Sequence, residues 1–357
     1  MTLVAKKKLT KGQQRRIKAN HDKKLHAKVS SNTDAKVSKV QWQDNDLGVA
    51  QQGKVISRFG QHADVESDDG SIYRCNLRRS ISSLVCGDKV LWRLGKATQH
   101  SIRGIIEAVH ERDSVLSRPD VYDGIKPIAA NISQILIVSS ILPAFNSDII
   151  DRYLVAAEQT GITPVIILNK TDLLNQLNQT EQDAMEAQLQ IYRDIGYQVL
   201  YGSSQTNQGI EVIKAQLSQH TSIFVGQSGV GKSTLVNALM PELGLVTKEV
   251  SQNSGLGQHT TTVARLYHFD DGGDLIDSPG IREFGLWHLT PEQVFNGFKE
   301  FAQFQGLCKF RDCKHTCDPG CALTAANEQQ IHPKRFASFQ RIIASLGENK
   351  LTSRFND

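Results

Sequence analysis

The hydrophobic positions of this chain change their period twice. Between residues 53 and 115 they fall in short runs, "GKVISRF", "HADVES", "SIYRCNL", "DKVLWRL" and "GIIEAVHER", broken by the turn-forming "SDDGS" and "CGD". In the fourth run Val90, Trp92 and Leu94 alternate with polar residues, the two-residue period of a strand with one buried face. Five short strands in about 60 residues predict an OB-type β-barrel, a fold used to bind oligonucleotides, although an SH3-like module would give the same pattern. From about residue 132 apolar strands alternate with helices. "ISQILIVSS" is nearly continuous in apolar residues, "DIIDRYLVAAEQTG" has helical spacing and stops at Gly161, and "TPVIILNK" is the next strand. A Gln-rich helix, "YQVLYGSS", a helix around "GIEVIKAQLSQ", then "TSIFVG", "ARLYHF" and "GDLIDSPG" follow. Such alternation predicts a doubly wound α/β sheet. Beyond Pro291 the pattern is helical again, interrupted by a cluster of cysteines. The expected organisation is an arm without a core at 1–44, a barrel at 45–115, an α/β domain at 116–290 and a mainly helical domain at 291–357.

The loops at the strand ends carry the chemistry. Gly226-Gln227-Ser228-Gly229-Val230-Gly231-Lys232-Ser233 matches G-x-x-x-x-G-K-[ST], follows the β-branched strand Ile223–Val225, and opens a helix at Thr234. Glycines let backbone N–H groups wrap phosphates, Lys232 adds charge at the β- and γ-phosphates, and the Ser233 hydroxyl suits Mg²⁺. The base is addressed elsewhere. Asn169-Lys170-Thr171-Asp172 ends a buried strand, and a carboxylate at Asp172 accepts from guanine N1–H and the 2-amino group, a pairing adenine lacks. Asn169 braces loop and base, the Lys170 stem covers the ring, and the amides of Ser203 and Ser204 reach toward O6. Alone, "NKTD" also reads as an ordinary turn.

Asp277-Ser278-Pro279-Gly280 fits D-x-x-G, with Asp277 holding Mg²⁺ through water and the Gly280 amide sensing the γ-phosphate. The polar, Gly-rich "NSGLGQHTTTVARL" before it suits a switch, with Thr262, or Thr261 next, as a further Mg²⁺ ligand. The elements form a complete GTP site, but the guanine element precedes the phosphate loop. A circular permutation explains that order, since the termini of compact domains often lie close together. It also leads the segment after Gly280 straight into the cysteine region. Ile281 stands where a water-orienting Gln is found in other GTPases, which predicts slow intrinsic hydrolysis quickened by a partner. Lys232, Thr262 and, for orienting water, His259 are the expected catalytic residues; a solvated loop histidine is the plain alternative for His259.

Charge changes the picture at one end. Residues 1–40 hold 12 Lys/Arg against Asp22 and Asp34, leaving 29 Lys/Arg and 35 Asp/Glu, a net of −6, in the remainder. An arm so basic and poor in apolar residues has no core of its own, and reads as a solubilising tail or as an electrostatic arm for nucleic acid. The N-terminus lacks the apolar stretch of a secretory signal, and no apolar run approaches the roughly 20 residues needed to span a bilayer. A cytoplasmic location without membrane contact is expected. Of six cysteines, Cys308, Cys313, Cys317 and Cys321 lie close together, while Cys75 and Cys86 lie in strand-like surroundings and read as buried thiols behaving as small hydrophobes. Cys308-x₄-Cys313-x-His315-x₅-Cys321 supplies three thiolates and an imidazole, a closed tetrahedral set for one structural Zn²⁺, with Cys317 as a fifth candidate. A redox role is the alternative, without a CxxC to support it.

With "NKTD" before "GQSGVGKS", "DSPG" after it, an OB-like region in front and the cysteine cluster behind, the chain resembles the RsgA family of circularly permuted GTPases of small ribosomal subunit biogenesis. The resemblance covers about 45–340, with Cys317 and the length of the basic arm as departures. It implies a multidomain protein: an N-terminal OB-type β-barrel, a circularly permuted P-loop GTPase α/β domain and a C-terminal, mainly helical zinc-binding domain. It implies GTP hydrolysis to GDP stimulated by the small ribosomal subunit, binding to that subunit and its rRNA, and action late in assembly. A monomer is expected. Two other classes compete: an RNA-binding or remodelling module whose affinity GTP sets with incidental turnover, and a P-loop kinase for a small molecule. The "NKTD" element disfavours the kinase.

Overall fold

A computed structural model describes residues 46–99, 102–120, 124–243, 264–277, 289–315, 318–326 and 328–352. The basic arm 1–44, and His259, Thr261, Thr262, Ser278, Pro279, Gly280, Ile281 and Cys317, lie outside the described residues. The chain divides into two compact units: one runs to Asp113 and takes in Arg265 and Leu266, the other begins at Ser114.

In the first unit β1 (Leu47–Phe59), β2 (His62–Ser67), β3 (Ile72–Leu77), β4 (Lys89–Gln99) and β5 (Ile102–Val109) form the five expected strands. Their order is β1-β2-β3-β5-β4, and β4 pairs back onto β1, closing the barrel. The pair β3–β5 is parallel and the other barrel pairs are antiparallel. Val55, Val65, Cys75, Val90, Trp92 and Ile106 fill the interior, so the alternation read in "KVLWRL" is the pleat of a strand with one face inward. Asp88, fully buried just before β4, is held by Arg112 through Nε (2.7 Å) and Nη2 (2.9 Å) and by the Val85 amide (2.7 Å). A carboxylate so placed survives burial because its charge is paired and its lone pairs are used.

The second unit opens with a hairpin that the sequence pattern hid, β6 (Val115–Asp120) and β7 (Gly124–Ala130). Pro119 and Pro127 lie within it, paired to Ile125 and Ser117. Proline lacks a ladder donor and argues against a strand, yet a two-stranded ribbon has only edges, where proline is tolerated.

A sheet of β8 (Gln134–Ser140), β9 (Thr163–Asn169), β10 (Gln198–Tyr201), β11 (Thr221–Val225), β12 (Arg265–His268) and β13 (Asp274–Asp277) follows, in the order β10-β9-β8-β11-β13-β12. The pairs from β10 to β13 are parallel. Every residue of β8 is buried, as befits a parallel strand covered on both faces. Helix α1 (Ser147–Thr160) starts at Asn146, whose side chain accepts from the amides of Asp148 and Ile149, and ends at Gly161 in the left-handed region, φ 67°. Helix α2 (Gln179–Asp194) begins with a reciprocal Asn178–Glu181 capping box. Helices α3 (Ile210–Leu217) and α4 (Lys232–Leu239) bury Ile213, Leu217, Leu235 and Leu239 against Leu136, Val138 and Ile167 of the sheet.

Helix α5 (Pro291–Asn296), a 3₁₀ segment Lys299–Phe304, α6 (Ala322–Ala325) and α7 (Pro333–Thr352) form the helical C-terminal part. Val294, Phe298, Phe301, Phe339 and Ile342 make its core, and Val155 and Ala156 of α1 join them. Among the described residues no helix is long and apolar enough to cross a membrane.

Candidate nucleotide site and metal cluster

Successive strands run outward in opposite directions from the β8–β11 pair: β9 and β10 to one side, β13 to the other. In such sheets the crevice at the carboxyl ends of the strands where the order reverses is the place for a ligand. Four predicted elements end there: Asn169 closes β9, Ser203 follows β10, Gly226 follows β11, and Asp277 closes β13.

The loop after β11 depends on glycine at two positions. Gly226 has φ 141°, and a Cβ there would stand 2.1 Å from the Val138 carbonyl oxygen. Gly231, at φ 90°, would place a Cβ 2.5 Å from Asn169 Nδ2. Only glycine admits both the backbone and the contact. Lys232 Nζ donates to the carbonyls of Gly226 (2.6 Å) and Gln227 (2.7 Å), curling over its own loop. Ser233 and Thr234 follow it in the first turn of α4. Gln227, Ser228 and Gly229 are exposed and Val230 is buried against the core.

Two motifs distant in sequence meet here. Buried Asn169 donates through Nδ2 to the Val230 carbonyl at 2.9 Å, and Lys170, left-handed at φ 62°, donates through Nζ to the carbonyls of Gly229 (2.7 Å) and Leu142 (2.6 Å). Asp172 accepts from Ser203 Oγ at 2.5 Å. That hydroxyl accepts from the amides of Gln205 and Thr206, each 3.2 Å away, so its proton is aimed at the carboxylate. Ser204 Oγ donates to Asn169 Oδ1 at 3.4 Å, and the Thr171 amide donates to the Gly202 carbonyl at 3.2 Å. Burial pushes the Asp277 carboxyl above the usual carboxylate range, and the positive charge of Lys232 draws it partly back. The structure thus brings together Asn169, Lys170, Thr171, Asp172, Ser203, Ser204 and the phosphate-binding loop. Sequence reasoning missed the contribution of Leu142 and Val138, because both act through backbone carbonyls that no motif marks.

The second cluster is C-terminal. The ligand atoms of Cys308, Cys313, His315 and Cys321 all lie within 4.8 Å of one another. His315 Nδ1 stands 3.5, 3.6 and 3.5 Å from the sulfurs of Cys308, Cys313 and Cys321. A tetrahedron with metal–sulfur bonds of ~2.3 Å and a metal–nitrogen bond of ~2.05 Å has N···S edges of about 3.6 Å, so the set fits one metal ion. Burial pushes the His315 pKa down, favouring the neutral ring that can act as a ligand. The ring stacks on Phe295 with centroids 4.8 Å apart, and the Ala322 amide points at Cys308 Sγ at 3.4 Å. Cys75 and Cys86 are buried in the barrel, as expected, and burial, with Asp64 adding to it, lifts the Cys75 thiol to about 12.

Comparison with known proteins places these features in one family. The model of the RsgA GTPase family matches residues 109–287. "Small ribosomal subunit biogenesis GTPase RsgA" of Proteus mirabilis (strain HI4320) is 57% identical over 99% of both chains. The protein of the same name from Haemophilus influenzae (strain 86-028NP) is 54% identical, again over 99% of each. Among solved structures, YjeQ from Thermotoga maritima superposes with a TM-score of 0.67 at 30% identity, covering 84% of this chain and 99% of its own. YloQ, described as a circularly permuted GTPase, gives 0.65 at 25% identity over 87% and 99%.

Proposed function

The chain belongs to the RsgA family of GTPases and hydrolyses GTP, and from that premise we propose that it acts on the small ribosomal subunit late in its maturation, in the cytoplasm and as a monomer, with turnover stimulated by the subunit. The observation that carries the reading is the Asn169–Val230 and Lys170–Gly229 pair of contacts. They tie the base-reading element to the phosphate-binding loop, as one nucleotide spanning both would require.

In this reading Asp172, aligned by Ser203, accepts from the guanine edge, and the Lys170 stem lies along the ring. The amides of Gly226 to Thr234 and the ammonium of Lys232 take the phosphates. Mg²⁺ would be held by Ser233, by Thr262 or Thr261 and, through water, by Asp277, and supplies charge at the β- and γ-phosphates. Gly280 senses the γ-phosphate and His259 orients the attacking water, Ile281 having no group to do so. Cys308, Cys313, His315 and Cys321 hold Zn²⁺, whose closed ligand set makes it structural.

The test is GTP turnover with and without purified small ribosomal subunits. A clear increase is expected, with about 10³- to 10⁵-fold as the scale of what completing a phosphoryl-transfer site contributes. Equal turnover in both conditions would overturn partner stimulation.

A further inference from the structure

Among the described residues of the C-terminal part, Phe295, Phe298, Phe301, Phe304 and Phe339 are all buried, and Phe336 is half-buried against the same core. Phe310 is the exception. It is 49% exposed at the tip of the loop between Cys308 and Cys313, and Leu307 beside it is 65% exposed. The loop is short and tied down. The Lys309 amide donates to the Gly320 carbonyl at 3.0 Å, the Cys313 amide to the Phe310 carbonyl at 3.4 Å, and Cys308 and Cys313 anchor both ends in the metal cluster. The side chain is therefore presented on a rigid turn, with little ordering entropy left to lose on contact.

The charge of the turn is net positive. Lys309, Arg311 and Lys314 are exposed, and Asp312 is the one acidic residue among them. None of the three cations has a carboxylate partner among the described residues. Lys309 Nζ instead lies 5.3 Å from the centroid of the Phe310 ring. Beyond residue 40 the chain is net acidic, so the net positive charge of this turn departs from the balance of that part of the chain. An exposed aromatic face ringed by cations matches an unpaired nucleobase flanked by phosphates, since every base offers a π-face and every linkage a negative charge. An acidic or apolar protein surface would use only one half of that arrangement.

We propose that the Cys308–Cys313 turn is an RNA contact: Phe310 stacks on an unpaired base of single-stranded RNA while Lys309, Arg311 and Lys314 take the adjoining phosphates. This deepens the reading that the partner is the small ribosomal subunit, by assigning one point of contact and its chemistry.

The full chain with its metal is compared with Phe310→Ala, Phe310→Trp and the double variant Arg311→Gln/Lys314→Gln. Each is assayed for binding to purified small subunits and to a 12-nucleotide oligouridylate, and its metal content is measured. Phe310→Ala is expected to weaken both interactions about five- to 100-fold with metal retained, and Phe310→Trp to restore them. The double variant should flatten the salt dependence of both. Unchanged affinity of Phe310→Ala for either RNA partner would overturn the stacking role. A photo-reactive phenylalanine analogue at 310 should cross-link to rRNA; a cross-link confined to ribosomal protein would overturn it too, in favour of a protein contact. If the wild-type chain binds oligouridylate in a Phe310-dependent way but fails to bind subunits, the ribosomal reading falls and the RNA contact stands.

Discussion

Arg335 of α7 is ion-paired with Asp151 of α1, and both side chains are only 2% exposed. The same guanidinium donates through Nε to Glu300 at 2.7 Å, lies 4.3 Å from the centre of the Phe298 ring, and neighbours Tyr192, whose hydroxyl donates to Asp151 at 2.8 Å. Burial pushes the Asp151 carboxyl upward, and Arg335 and Tyr192 pull against it. One residue of the C-terminal helix thus joins α1, α2 and the 3₁₀ segment through charge and packing together.

Removing Arg335 leaves two carboxylates without their cation, one of them in the interior. Arg335→Leu is expected to cost roughly 3–5 kcal/mol of stability, the range for breaking a buried pair from one side. The exposed Arg341–Asp148 pair, 3.0 Å from Nε to Oδ2, offers a control, and Arg341→Gln should cost no more than about 1 kcal/mol. Urea unfolding of the metal-loaded proteins distinguishes the two. A loss below about 1 kcal/mol for Arg335→Leu would show that water solvates Asp151 once the guanidinium is gone.

The phosphate-binding loop is expected to tolerate its glycines unequally. Gly226→Ala would set a Cβ 2.1 Å from a backbone oxygen of β8, and the backbone must move to relieve it. At Gly229, φ 86°, the nearest atom to an added Cβ is a Pro143 side-chain carbon 3.7 Å away. There only the left-handed backbone resists, at about 1–2 kcal/mol. Titration with a fluorescent GTP analogue should therefore find Gly226→Ala without measurable affinity and Gly229→Ala weakened but competent. Equal affinities would mean that β8 yields where the structure places it rigidly.

How far the sequence reached depends on where each signal is stored. The barrel was legible because Val90, Trp92 and Leu94 carry the pleat in their own side chains. The metal cluster was legible because a short loop brings Cys308, Cys313 and His315 together with little help from the rest of the fold. The hairpin β6–β7 was not, since Pro119 and Pro127 mask it locally and only its freedom from other strands permits them. Nor was Arg335: in "PKRFASFQRI" it reads as one more cation on a solvated face, and only tertiary packing against Phe298 and Asp151 shows that it is interior. The same holds for Asn169, whose partner is the Val230 carbonyl and so has no residue type to recognise.

In the proposed reading, base selection would rest on a single carboxylate, Asp172, with an aligned donor in Ser203. Asp172→Asn reverses one hydrogen-bonding direction at the base edge and removes the charge. GTP affinity should fall about 10- to 100-fold, as expected for losing one or two hydrogen bonds to a charged group. Affinity for xanthosine triphosphate, whose edge offers an acceptor in place of the amino group, should rise. Ser203→Ala leaves the carboxylate in place but removes its 2.5 Å donor, and a loss of only a few-fold is expected without a change in base preference. Competition binding with the two nucleotides measures both. A preference for GTP in Asp172→Asn as strong as in the wild type would remove Asp172 from base reading.

Metal removal tests how much of the C-terminal part depends on the cluster. The candidate ligands are fixed to Phe295 by the His315 stack and to α6 by the Ala322 amide, so a bound metal would brace the same core that holds Val155 and Ala156 of α1. Binding at structural zinc sites contributes directly to folding, on the order of 10 kcal/mol. Chelation, or Cys321→Ser, should therefore lower amide protection through Phe295–Phe304 and Phe339–Leu346, read by hydrogen exchange, while β8 and β9 remain protected. Acid should act in the same direction, because thiolates and a neutral imidazole are the binding forms and protons compete with the metal as pH falls. Zinc added back to the chelated chain should restore protection. If protection in those segments survives chelation intact, the phenylalanine core and the Arg335 pairing hold the subdomain without the metal.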